Sequence, residues 1–214
     1  MVADNGLGRI VFQHPASMTF NNSWRSTVRG IESPAIVGNM ARSVSFSMKT
    51  SGLVPPAGSA VNSVTHYWLN SNVSQTQVIV ATGRSKTSGT DMPNQAFNVI
   101  LRADTGPGCI GVMGYFNDYY PVTCPQPVYD RQWHKVDVTY DGASNLSIFT
   151  DGRIQSSACV RPYNTNGSDV LVGTSNDFAV TSIRPFVGEV KDLVIKSVDK
   201  GFEPTSASTA DGKL

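Results

Sequence analysis

The chain has 214 residues, of which 15% are charged, and a formal net charge of +1; this length suits one domain, or two at most. The near-neutral balance leaves no electrostatic footprint for nucleic acid, and no apolar run approaches the ~20 residues that a membrane-spanning helix needs. Val occurs 25 times and Leu 8 times, Ser and Thr together 41 times and Glu 3 times. Strand-favouring residues thus outweigh helix formers, and the composition argues for an all-β domain.

The clearest element is Ser43-Val44-Ser45-Phe46-Ser47-Met48-Lys49. Its period of two predicts a strand with Val44, Phe46 and Met48 in a core and three serines and a lysine toward water. Residues 51–63 hold two prolines and two glycines and read as a long loop. Val78 to Ala81 is apolar on both faces, as in a central strand. Residues 85–95 read as a second loop, and such loops often carry binding residues. Phe97, Val99 and Leu101 repeat the alternation within Ala96 to Arg102.

From Cys109 to Cys124 the pattern is that of a hairpin. Ile110 and Val112 alternate inward, Asn117-Asp118 turns the chain, and Tyr119 to Val122 returns. Folding about that turn brings Cys109 near Cys124, as a cross-strand disulfide or as two inert thiols. With Cys159 the cysteine count is three, too few for a disulfide scaffold and without zinc spacing.

Trp133 to Tyr140 is the next predicted strand, with His134, Val136, Val138 and Tyr140 on one face. Trp133 and His134 are both expected to pack and hydrogen-bond inside the fold. Asp141-Gly142 opens a turn, Leu146, Ile148 and Thr150 follow, and Asp151-Gly152 closes that strand. Val170 to Gly173 is short. In residues 183–198, Phe186, Gly188 and Val190 share one parity and Leu193 and Ile195 the other, which predicts a β-bulge near Lys191-Asp192. Residues 201–214 read as a polar tail, held in place by an assembly partner if it is ordered. Many short strands separated by turn signals indicate a sandwich or barrel. Four N-x-S/T sequons, at Asn21, Asn72, Asn145 and Asn166, permit glycosylation without establishing export. The N-terminus shows no secretory signal, so export is expected to use a signal outside this sequence or another route.

The run from Trp133-His134 through Tyr140-Asp141-Gly142, Leu146 to Gly152, Val170 to Gly173 and Phe186 to Ile195 resembles the laminin-G-like domains of the concanavalin A-like lectin/glucanase superfamily. Order and spacing match over about residues 97–198, and Ser43 to Lys49 resembles an early strand of the same fold. The resemblance implies an all-β, two-sheet antiparallel jelly-roll sandwich, here expected over residues 1–200. It also implies binding of glycans or proteins at a cell or particle surface, as lectins and adhesion domains do. Some relatives hold calcium at the rim; the matching positions are Asp118 and Asp169, in stretches that also read as plain turns. Calcium takes six to eight oxygens, which these carboxylates and loop carbonyls would share.

The best surface candidate for ligand binding is the hairpin tip, with Tyr115, Asn117, Tyr119 and Tyr120. Tyr119 and Tyr120 alternate, so one is expected in the core and one in solvent. Trp24 and Trp68 read as core. A first alternative is a structural component of a virion or other large assembly. A second is a polysaccharide lyase or glycoside hydrolase. Retaining hydrolases usually need two carboxylates about 5–5.5 Å apart, but Glu32, Glu189 and Glu203 form no such motif. A lyase would draw a base from His66, Tyr67 or the tip tyrosines and charge from Arg84 and Arg102. The sequence favours recognition without catalysis.

Overall fold

A computed structural model describes residues 37–50, 76–83, 95–102, 108–114, 117–119, 121, 124–126, 128–166, 170–173 and 186–197. It also describes the backbone of residue 169 and of strands at 2–4, 9–11, 18–21, 28–32, 86–87, 90–91 and 184–185. The strands are β1 (Val2–Asp4), β2 (Arg9–Val11), β3 (Met18–Asn21), β4 (Val28–Glu32), β5 (Arg42–Thr50), β6 (Thr76–Gly83), β7 (Lys86–Thr87) and β8 (Thr90–Asp91). They continue with β9 (Ala96–Arg102), β10 (Cys109–Met113), β11 (Trp133–Tyr140), β12 (Asn145–Thr150), β13 (Arg153–Cys159), β14 (Asp169–Val172), β15 (Arg184–Pro185) and β16 (Val187–Ser197). No helix occurs among the described residues.

Two sheets carry the fold. The larger has eight strands in the order β1-β2-β16-β5-β11-β12-β13, with β3 also on β16. The smaller has six in the order β10-β9-β6-β14-β4, and β15 joins β6 in parallel. The remaining pairings are antiparallel, so the architecture is the expected all-β jelly-roll sandwich.

Alternation along each strand builds the core. Val44, Phe46 and Met48 of β5 meet Val136 and Val138 of β11, Leu146 and Ile148 of β12, and Val190, Leu193 and Ile195 of β16 in one buried cluster. The facing sheet adds Ile79, Val80, Phe97, Val99, Leu101, Ile110, Val112, Val170 and Val172. Burying one such side chain stabilises the fold by about 1.5–3 kcal/mol. The apolar strand β6 is central in its sheet, as predicted, and its other face is buried too. Val78 and Ala81 there join Ile100, Met113 and Leu171 in a second cluster.

Cys109 and Cys124 form a disulfide, which resolves the open alternative, and Cys159 is an exposed thiol. The predicted bulge lies in β16, where the register against β5 shifts between Lys191 and Val194 and Asp192 takes φ +54°. Three readings change. Residues 85–95 hold the small ribbon β7–β8, whose two strands are separated by two residues, the spacing of a tight hairpin. Among the described residues, the return of the Cys109 hairpin pairs through an isolated bridge between Val112 and Tyr119. Strand β13 was not foreseen, because Arg153-Ile154-Gln155-Ser156-Ser157 shows no clear alternation. The 51–63 loop, Trp24, His66, Tyr67, Trp68, Arg84 and the 201–214 tail lie outside the described residues.

Gly188 allows β16 to lie tight against β5. At φ +155° a Cβ would collide with the Lys49 carbonyl and come within 2.7 Å of the Phe186 ring. Gly188→Ala should therefore lower stability by more than about 1 kcal/mol, read as a drop in the urea midpoint with an unchanged slope.

Candidate functional site

Two regions, one at the rim of the sandwich and one on the outer face of the larger sheet, collect polar and aromatic groups. The first is the predicted tip. Asn117 is buried, and its side chain clasps one residue of the opposite edge. Its Nδ2 donates to the Arg161 carbonyl and its Oδ1 accepts the Arg161 N–H at 3.0 Å. Exposed Asp118 turns its Oδ1 back to accept the Gly114 N–H at 2.9 Å. Gly114 has no room for a side chain, since a Cβ would meet Tyr163 at 2.5 Å. Tyr119 is half-buried against the core, and its hydroxyl donates to the Ser157 carbonyl at 3.4 Å. Tyr115 and Tyr120 lie outside the described residues.

Beneath the tip lies a sealed polar cluster. Arg42 is 1% exposed and stacks over Phe97 and Tyr140. Its three nitrogens donate to Met40 O at 2.9 Å, Thr165 Oγ1 at 2.8 Å and Gly38 O at 2.7 Å. Burial lowers its pKa to about 10 against the charges of its tyrosine neighbours, so it stays cationic at neutral pH. Burial first, and then the charge of Asp118, pushes the Tyr163 hydroxyl up, and it remains neutral. These groups hold the 161–166 segment to the sandwich and are not open to a ligand.

The tip therefore brings Asn117, Asp118 and Tyr119 together. Asp169 opens β14, three places from β10 in the same sheet, where its backbone pairs with Glu32, and its side chain lies outside the described residues. Calcium needs six to eight oxygens. Among the described residues no three His, Cys, Asp or Glu lie together as a metal set.

The second region begins at Trp133. The expectation that it packs inside the fold is corrected: the residue is 36% exposed, on the outer face of the larger sheet. The reason is parity, since His134 faces inward and its neighbour must face out. Lys191 Nζ lies 4.3 Å from the ring centroid and Lys49 Nζ 5.5 Å. Lys49 also pairs with Glu189 at 2.7 Å. The sequence reading missed this site, although the alternation that sends His134 inward already contained the signal.

His134 has the structural role expected of it. Nδ1 meets Asp151 Oδ2 at 2.8 Å and Nε2 meets Asp130 Oδ1 at 2.9 Å. Both nitrogens must donate to satisfy two carboxylates, which favours the imidazolium. Burial opposes the charge, but the bonds from Asp151 and Asp130 outweigh it and raise the His134 pKa.

The sequence pattern of the Laminin_G_3 family, of the concanavalin A-like lectin/glucanases superfamily, matches residues 59–198. The chain belongs to this family. No curated protein matches it in sequence. Among solved structures, the fold of this laminin-G-like chain is similar to the Ruminococcus gnavus IT-sialidase CBM40 bound to alpha2,3 sialyllactose. Identity there is 14%, coverage 79% of this chain and 90% of that one, and the TM-score 0.51. It is also similar to the binding domain of the Paraclostridial Mosquitocidal Protein 1, at 9% identity, with 90% and 44% covered and a TM-score of 0.51. At such identities the likeness establishes the fold.

Two outcomes follow. The raised His134 pKa contributes stability that is fully present below the unfolded value of about 6.5 and is lost as pH rises through the folded pKa. The melting temperature of the protein should fall across that window, and His134→Gln should flatten the fall. At the tip, Asn117→Asp sets a carboxylate oxygen against the Arg161 carbonyl. It should destabilise at pH 7 and recover at pH 4, where a protonated acid can donate again; equal melting losses at both pH values would contradict the clasp.

Proposed function

We propose that this chain is a non-catalytic recognition module that binds a glycan outside the cell or on a particle surface. The observation that carries the reading is Trp133. It is a large aromatic held in the open on a polar sheet face, and cations flank it. An indole offers an apolar plane to the C–H face of a sugar ring at little entropic cost. Family membership supports the reading, as does the sialyllactose bound by the CBM40 relative. The rim at Asp118 and Tyr119 is proposed as a second contact.

Glycan-array binding followed by titration is the test. Trp133→Ala should keep the β circular dichroism spectrum and weaken binding about tenfold or more. Undiminished binding would move the site away from Trp133. Shortened or unsaturated sugar products in the same mixtures would replace recognition with catalysis.

A further inference from the structure

The outer face of the larger sheet has a furrow, and its floor is the serine row of β5. The registers place Ser47 between Lys191 of β16 and Lys135 of β11. They place Ser45 between Val194 and Asp137, and Ser43 between Lys196 and Thr139. All three serines are half-buried, and the residues beside them are longer. A lane of small hydroxyl side chains thus runs along β5 between two taller walls. Trp133 and Lys49 close one end.

The charges along this lane are unequal. Lys49, Lys135, Lys191 and Lys196 stand against Asp137, Glu189 and the bulge residue Asp192. Glu189 is held by Lys49 at 2.7 Å, and Asp137 takes the Ser45 hydroxyl at 2.5 Å with Lys135 at 3.9 Å. Lys191 and Lys196 have no carboxylate partner among the described residues. Lys191 instead reaches across β5 and rests on the Trp133 ring. A cation over an exposed ring is held more weakly than one in a charge-assisted hydrogen bond. An incoming anion would draw the ammonium off the indole and uncover the aromatic plane for the sugar that carries the anion.

We propose that this furrow binds an extended acidic glycan strand. One sugar ring seats on Trp133, its carboxylate or sulfate is taken by Lys191, and the chain runs along Ser47, Ser45 and Ser43 toward Lys196. The proposal rests on the glycan-recognition reading above and adds the ligand class and the path.

The experiment is calorimetric titration of the whole chain with three oligosaccharides of equal length: a uronate oligomer, a sulfated oligomer and a neutral one. At least one acidic oligomer should bind, and the arm that does identifies the acid. Binding should weaken steeply as salt rises from about 0.05 to about 0.5 M, because the Debye length shrinks from more than 10 Å to only a few. Lys191→Gln should cost about tenfold in Kd. Ser47→Tyr, which fills the lane from the solvent side, should abolish binding with an unchanged melting temperature. Acidic binding that survives both variants overturns the furrow. Equal or tighter binding of the neutral oligomer, still lost in Trp133→Ala, overturns the acidic ligand and leaves glycan recognition standing. Silence of all three oligomers removes the glycan reading itself.

Discussion

The pairing of β5 with β11 sets the inside and outside of the molecule. Eight consecutive residue pairs run from Trp133 opposite Lys49 to Tyr140 opposite Arg42 without a shift. Side chains alternate with a period of two, so a slip of one residue would turn every core residue of one strand to water. Val44, Phe46 and Met48 hold the register, since each is buried beside an apolar or imidazole partner on β11. The serine face and Trp133 then have no choice but to lie outside. Core packing thus decides where the polar surface goes before any ligand is involved.

Beside the apolar core stands a second, costlier device. Arg42 occupies an inward position of β5 as a cation with no carboxylate paired to it among the described residues. Its cost is offset by three hydrogen bonds to oxygen and by two aromatic faces. Those bonds tie Gly38 and Thr165, which also exchange two backbone bonds with each other at 2.7 and 3.0 Å. One end of the sandwich is therefore closed by directional bonds and not by oil alone. Directional bonds specify a single arrangement, so the segment carrying Arg161 and Tyr163 is positioned to meet Asn117.

Much of the sandwich was legible because alternation is a local signal. The strands around Phe46, Val99, Val138 and Ile148 were readable from parity and turn residues, and so was the bulge at Lys191-Asp192. Strand β13 was not, because it is an edge strand whose Ile154 is exposed and whose Gln155 is buried, the reverse of the hydrophobic pattern. The site was half legible. The tip turn was readable from Asn117-Asp118, but the amide clasp on Arg161 joins residues 44 apart, and spacing alone does not reveal a contact of that range. Trp133 was assigned to the interior because a large aromatic usually is, although the parity of His134 already placed it outside.

The bulge in β16 has a consequence for the placement of charge. Lys196 lies five positions after Lys191, and with that odd offset the two would face opposite sides of the sheet in an unbroken strand. The extra residue at the bulge reverses parity once, so that both ammonium groups stand on the same surface while Val190, Leu193 and Ile195 remain buried. Asp192 makes this reversal at φ +54°, in a region that Asp tolerates better than most residues. A backbone irregularity of one residue thus acts as a sign change on the charge pattern. Without Asp192 the strand would alternate regularly, with Lys191, Val194 and Lys196 outside and Val190, Leu193 and Ile195 inside, so the bulge takes up one added residue without turning a core side chain to water.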